Sequence, residues 1–403
     1  MKMIFDIETD DLNATKVWCL VAKELNGKIH KFDNNQIQDG LDLLSTADTL
    51  IGHNIIGFDL PILEKLYGFK YKGNVEDTLV MSRLYNPVRE NGHSLKTWGF
   101  RVNMYKKEQP EFTSYSTEML EYCVGDVCLN EKVYIHLLNE GKGFSEQSLE
   151  IEHTVAKIIN DQEKTGFHFD SRQAMELLAD LQDKKSQTEL EVQTTFKPKW
   201  IDDKLVTPYV RKDGQLSKRG LTDEEYDTCM TQKNYEPFMR KKLVDFNLGS
   251  RKQIGEYLID FGWKPERFTP TGQPIVDEGT LKKIEHINEA KLIANFLLYQ
   301  KRIAQISSWI DELKDDRVHG KVIPNGTITG RMTHRNPNMA QVPNIHSPFG
   351  EECRACWTVP EGYKLVGIDA SGLELRMLAH YMKDDNYINE VLHGDIHTTN
   401  QEL

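Results

Sequence analysis

The spacing of apolar and polar positions changes along this chain. Lys2 to Glu8 reads as a strand and Val17 to Ala22 as a second. Leu60 to Leu66 carries apolar residues at helical spacing, with Pro61 in the first turn, where its missing N–H is tolerated. Met119 to Leu138 predicts a long helix. Strands and helices alternating over residues 1 to about 140 predict an α/β domain. From about 145 the pattern is helical and charged, with helices predicted at Leu149 to Gln162, Ser171 to Thr195, Ser250 to Phe261 and Glu278 to Leu313. Trp200 to Phe246, rich in Lys, Arg, Asp and turn residues, reads as an insertion between helices. His319 to Phe349, rich in Asn, Pro, Gly and Thr, reads as loop and short strand. Near the end an apolar strand is predicted up to Asp369, followed by a small-residue turn and an amphipathic helix.

A chain of 403 residues accommodates two or three domains, each with its own core. No run approaches the roughly 18 apolar residues of a membrane span, and the N-terminus lacks the apolar segment of a signal peptide. The expectation is a soluble, cytoplasmic protein without a membrane partner. The formal net charge of −12 argues against a broad basic nucleic-acid binder, although local phosphate contacts remain open. Cys353 and Cys356 form a C-x-x-C without a second pair at zinc-like spacing, so reduced thiols are expected.

The chemistry begins in Phe5-Asp6-Ile7-Glu8-Thr9. Asp6 and Glu8 are two apart in a strand, so both side chains leave one face of the sheet. Asp59 stands at the start of a helix, following Gly52-His53-Asn54. Tyr122 and Asp126 are four apart, on one helix face. Taken singly, each acid is an ordinary exposed carboxylate. Converging, the four could not all stay ionised without a cation, and hard oxygen ligands select Mg²⁺ or Mn²⁺. Two such ions about 3.5–4 Å apart would activate a water and stabilise the leaving oxygen in phosphodiester hydrolysis. The Tyr122 phenol could orient that water. This ordered set, D-x-E, N-x4-D and Y-x3-D, resembles the 3′–5′ proofreading exonucleases of the DEDD type, in the subgroup with a tyrosine in the third motif. The resemblance covers residues 1–140 and implies a ribonuclease H-like domain. His93-Ser94-Leu95 and Glu76-Asp77-Thr78 are similar to family segments and are expected as scaffold or substrate-strand contacts.

A second group lies downstream. Thr329-Gly330-Arg331-Met332-Thr333 and Pro337-Asn338-Met339-Ala340-Gln341 form a loop whose Arg and amides suit phosphate and minor-groove acceptors. Together with Cys353-Arg354-Ala355, Asp369-Ala370-Ser371-Gly372-Leu373-Glu374-Leu375-Arg376 and Gly394-Asp395-Ile396-His397-Thr398, it resembles the palm of DNA polymerase I family (family A) enzymes, of the short-tailed phage replicative type. The resemblance implies that Asp369 binds metal, with the Ala370 carbonyl completing the shell. Glu374 would pack under the sugar and disfavour a 2′-hydroxyl. His397 would lie near the incoming triphosphate. Arg331, Asn338 and Gln341 would contact DNA.

The implied architecture is a ribonuclease H-like exonuclease domain (1–140), then a mostly helical thumb (141–318) with an insertion at about 200–246, then a partial palm (319–403). Two family elements are not found after the palm motif: the fingers helix R-x3-K-x3-[FY]-G and the H-D-E strand with the second palm carboxylate. The expectation is therefore the N-terminal part of a split or truncated phage DNA polymerase, acting in the infected cell's cytoplasm. It would use two Mg²⁺ or Mn²⁺ per active site and bind primer–template and a single-stranded 3′ end. A complementary polymerase fragment would be needed for synthesis. The insertion looks shorter than the thioredoxin-binding insertion of some relatives, which argues against a processivity factor there. A stand-alone 3′–5′ exonuclease and a DNA-binding remnant without chemistry are the alternatives.

Overall fold

The structure, a computed structural model, describes residues 1–394, which fall into two compact units, Met1–Trp357 and a second beginning at Thr358. His397 lies outside the described residues. In the first unit a five-stranded sheet has the order β3-β2-β1-β4-β5, built from β1 (Lys2–Thr9), β2 (Val17–Glu24), β3 (Ile29–Phe32), β4 (Thr49–Gly52) and β5 (Asn74–Asp77). The first three strands pair antiparallel, and β1, β4 and β5 run parallel. α1 (Ile37–Ser45) and α2 (Asp59–Tyr67) provide the crossovers between parallel strands, followed by α3 (Thr78–Tyr85), α4 (Leu95–Arg101) and α5 (Thr117–Glu140).

The period-2 alternation of β1 explains the layering. Met3, Phe5 and Ile7 pack with Leu41 and Leu44 of α1 and Ile62 and Leu63 of α2. Ile4 packs on the other face with Trp98 of α4 and Met119, Cys123 and Val127 of α5. Asp6 and Glu8 follow Ile4 in phase, so they too leave the sheet on the α5 side. Each fully buried Leu, Ile or Phe contributes about 1.5–3 kcal/mol, and this sheet carries two such layers.

Asp77 ends β5 and caps α3. Its carboxylate accepts the N–H groups of Asn54 (2.9 Å), Ile56 (3.1 Å) and Leu79 (2.9 Å), which folds the loop between β4 and α2. Ser94 caps α4 in the same way. In the Glu76-Asp77-Thr78 segment, Asp77 thus acts as scaffold.

Beyond the sheet, α6 (Glu146–Thr165), the short strand β6 (Phe167–His168) and α7 (Ser171–Thr195) follow. α7 passes through two clusters. Leu181 packs with Phe169, Ile306, Trp309, Cys353 and Cys356, and Val192 packs with Phe196, Ile254, Tyr257 and Ile293. Cys353 and Cys356 are free buried thiols. The segment read as a turn-rich insertion is largely ordered. β7 (Lys199–Val206) pairs with β10 (Phe238–Val244), β8 (Tyr209–Val210) with β9 (Leu216–Ser217), and α8 (Asp223–Gln232) lies between, tied to β10 by Arg240 and Glu225.

α9 spans Arg251–Asp260. The single helix expected over 278–313 is two, α10 (Glu278–Lys283) and α11 (Asn288–Asp311). An unbroken helix would set Leu281 and Ile284 nearly opposite Ala290 and Ile293. The turn between them lets all four enter one cluster.

The last helices are α12 (Gly350–Ala355) and, in the second unit, α13 (Leu373–Met382) and α14 (Asp385–His393). The strand expected up to Asp369 is not formed. Residues 364–370 run without regular structure, and Val366 and Ile368 are 77% and 95% exposed. A strand exists only through a partner's backbone, and among the described residues none pairs with this segment. No helix among the described residues is long and apolar enough to cross a membrane.

Because Asp77 holds three backbone donors, Asp77→Ala should lower the unfolding free energy by about 2–4 kcal/mol. Urea denaturation would measure it, and a change within about 0.5 kcal/mol, the range of an ordinary surface substitution, would refute this role.

Candidate functional site

Three separate stretches of chain deliver acids to one place. β1 supplies Asp6 and Glu8. α5 supplies Tyr122, Cys123 and Asp126, and its rotation is fixed one turn later where Asn130 accepts a hydrogen bond from Thr78 of α3 at 2.8 Å. Asp59 arrives by a different device. β4 pairs with β1 only as far as Ile4. Past that point the Asp59 carboxylate, in the first turn of α2, accepts the Ile7 N–H at 3.2 Å, between Asp6 and Glu8. Glu8, Asp59 and Asp126 are buried and Asp6 is partly buried. One ligand atom each from Asp6, Glu8 and Cys123 lie within 4.8 Å of one another.

The electrostatics follow from burial and crowding. Desolvation, then the charges of Asp59, Glu8 and Asp126, push the Asp6 carboxyl well above its usual range. Burial and Asp126 raise Glu8 to about 8, and burial raises Asp59 to about 7 despite its backbone hydrogen bonds. Burial also raises Asp126, opposed by Lys106. Lys106 Nζ sits 2.6 Å from Asp126 Oδ2 and 4.8 Å from the centre of the Tyr122 ring. Burial disfavours its charge, yet Asp126 and a hydrogen bond to Tyr122 hold Lys106 above the ordinary lysine range. Cys123 Sγ donates to the Asp6 carbonyl at 3.4 Å and is raised by burial, so it stays a thiol. The donor set is thus carboxylate oxygen, which fits a hard divalent cation such as Mg²⁺ or Mn²⁺ and disfavours soft metals.

Sequence reasoning missed Lys106. It lies in the irregular stretch between α4 and α5, twenty positions before Asp126 in the chain, and nothing in its neighbourhood marks it. Arg331 and Asn338 are exposed in loops of the first unit, and Gln341 is exposed at the end of a short 3₁₀ helix, Met339–Gln341. Arg331 N–H donates to Thr327 Oγ1 at 3.0 Å, and the Gln341 carbonyl accepts from Gln305. In the second unit Asp369, Ala370 and Glu374 are exposed, Glu374 in the first turn of α13.

The mixed α/β fold is similar to that of a DNA polymerase I-type polymerase domain. It matches a structure described as the POL domain of Pol1 from M. smegmatis in complex with DNA primer-template and dNTP, with a TM-score of 0.67 at 16% identity over 95% of this chain and 59% of that one. The family model of DNA polymerase family A matches residues 222–402. The chain is similar to the DNA-directed DNA polymerases of Escherichia phage T7 (30% identical) and Enterobacteria phage T3 (29%), each over 99% of this chain and 72% of the relative. It is also similar to the thermostable DNA polymerase I of Thermus aquaticus, 33% identical over 38% of this chain and 19% of the relative. The chain belongs to DNA polymerase family A. The two phage relatives extend over the N-terminal sheet and its acids.

The raised carboxyls set a pH dependence. Glu8 and Asp59 have folded pKa values above their ordinary ones, so their contribution to stability is complete below about pH 4. It is lost as pH rises through about 7 and 8. In EDTA the melting temperature should therefore fall between about pH 5 and pH 8.5, with a shallower fall in Glu8→Gln. A flat profile in the wild-type chain would contradict the clustering.

Proposed function

We propose that this chain is the exonuclease, thumb and first palm portion of a phage-type DNA-directed DNA polymerase. Residues 1–140 would form a ribonuclease H-like 3′–5′ proofreading exonuclease, 141–318 the thumb and 319–403 part of the palm. The observation that carries the exonuclease reading is the meeting of Asp6, Glu8, Asp59 and Asp126 beside Tyr122, in a part of the chain that the matches to the T3 and T7 relatives also cover.

Asp6, Glu8, Asp59 and Asp126 would hold two Mg²⁺ or Mn²⁺. Such ions lower the pKa of a bound water and stabilise the leaving 3′ oxygen. Asp59 stays anchored through the Ile7 amide, and the β1 pleat keeps Asp6 and Glu8 in phase. The Tyr122 phenol would orient the attacking water. Phosphodiester hydrolysis then adds water across the P–O3′ bond and releases a nucleoside 5′-monophosphate. Arg331, Asn338 and Gln341 would contact the primer–template, the ligand carried by the M. smegmatis polymerase domain.

For synthesis, Asp369 and the Ala370 carbonyl would bind metal, Glu374 would select the sugar and His397 would lie near the triphosphate. The exposed Leu365, Val366, Ile368 and Tyr381 point to a further polymerase segment that pairs with residues 364–369 and covers α13. That segment would carry the fingers and the second palm carboxylate. The setting is the cytoplasm of the infected host.

Asp6→Ala and Asp126→Ala should each slow metal-dependent shortening of a 3′-labelled oligonucleotide by several orders of magnitude, about 10³ or more. Tyr122→Phe should cost less, about 10- to 100-fold, because it removes one orienting hydrogen bond. Equal and small effects at all of these positions would reject metal-dependent hydrolysis. In a separate assay, the 403-residue chain with primer–template, dNTPs and Mg²⁺ should give no extension. Extension by this chain alone would refute the need for a further segment.

A further inference from the structure

Lys106 belongs to none of the motifs above, yet it is the cation that acts on Asp6, Glu8 and Asp126 alike. We infer that Lys106 is the resident counter-ion of the carboxylate cluster and competes with divalent cations for Asp126. The inference rests on the exonuclease reading of the site and adds a residue that sets how readily the site loads.

The geometry is that of an exchangeable cation. Lys106 Nζ is 2.6 Å from Asp126 Oδ2, and the two side chains are 24% and 5% exposed. At that distance the ammonium occupies the coordination sphere of the carboxylate oxygen. An ammonium and a divalent ion cannot share that oxygen at contact distance, since like charges there repel strongly in a poorly screened site. Lys106 must therefore leave Oδ2 before that oxygen takes a metal, and while it stays it opposes a divalent ion on the rest of the carboxylate.

The surrounding chain lets the side chain move while the backbone stays. The Met104 N–H donates to the Gly99 carbonyl at 3.0 Å. Lys107 Nζ donates to the Glu121 carbonyl of α5 at 3.0 Å. The Phe112 carbonyl accepts from Trp18 Nε1 at 2.8 Å. Between these ties only the flexible four-carbon stem of Lys106 needs to swing. A point charge on such a stem lets go of one carboxylate oxygen more readily than a planar, bidentate guanidinium would.

Tyr122 is coupled to the exchange. Its ring lies against the same ammonium, 4.8 Å from Nζ to the ring centre, so departure of Lys106 frees the group proposed to orient the water together with Asp126. Until then the same cation offsets repulsion among acids that would otherwise face each other uncompensated.

Titration of the 403-residue chain with Mn²⁺, without DNA and at about pH 8, tests this by calorimetry or by the electron paramagnetic resonance of free Mn²⁺. Lys106→Met should bind Mn²⁺ roughly ten- to a hundredfold more tightly than wild type, the factor expected when a charged hydrogen bond no longer competes. Lys106→Gln, which keeps a donor but no charge, should shift the affinity in the same direction and serves if the methionine variant does not fold. Lys106→Arg should bind no more tightly than wild type. Equal affinity in wild type and the two neutral variants would overturn the inference and leave the exonuclease reading standing. No Mn²⁺ binding by wild type or by either neutral variant would overturn both.

Discussion

The burial of four carboxylates beside one another is the constraint around which the N-terminal sheet is organised. Burial pushes Asp6, Glu8, Asp59 and Asp126 each toward its protonated form, and the charges of Asp59 and Asp126 add to that push at Asp6 and Glu8. Hydrophobic packing of β1 against α5 supplies the free energy that holds them there. Such a cluster is tolerated either by holding protons or by pairing with cations. Lys106 is the chain's own partial answer, and a hard divalent metal would be the fuller one.

The devices that aim the acids are ordinary parts of the fold used at one end of the sheet. The pleat of β1 aligns Asp6 and Glu8, and one helical turn aligns Tyr122 with Asp126. Asp59 replaces a backbone partner for Ile7 after β4 has turned away. Asp77 makes this possible, because the loop it folds leads into α2 and so positions Asp59. Scaffold and site are therefore energetically linked, and loosening the loop after β4 would move an acid as well as weaken the fold.

The second unit shows the opposite condition. The apolar run before D-A-S-G-L-E-L-R predicts a strand, yet residues 364–370 are without regular structure and exposed, and α13 presents Met377, Leu378 and Tyr381 to solvent. The contrast with β1 is one of partners. β1 has a strand on each side and helices on both faces, so its alternating pattern is converted into burial. The same apolar character in residues 365–368 finds neither among the described residues.

What the amino-acid order determined by itself was local and periodic. The shared face of Asp6 and Glu8, the shared face of Tyr122 and Asp126, α7 from Ser171 to Thr195 and the cores of β1, β2 and α5 all follow from spacings that one segment contains. Tertiary structure decided what depends on segments distant in the chain. The Ile7 amide drew in Asp59, Lys106 came to rest on Asp126, the 278–313 helix broke so that four apolar residues could share a cluster, and 364–369 stayed unpaired. The physical reason is that a strand, a buried charge and a helix break are each settled by the partner they meet, and no local pattern names that partner.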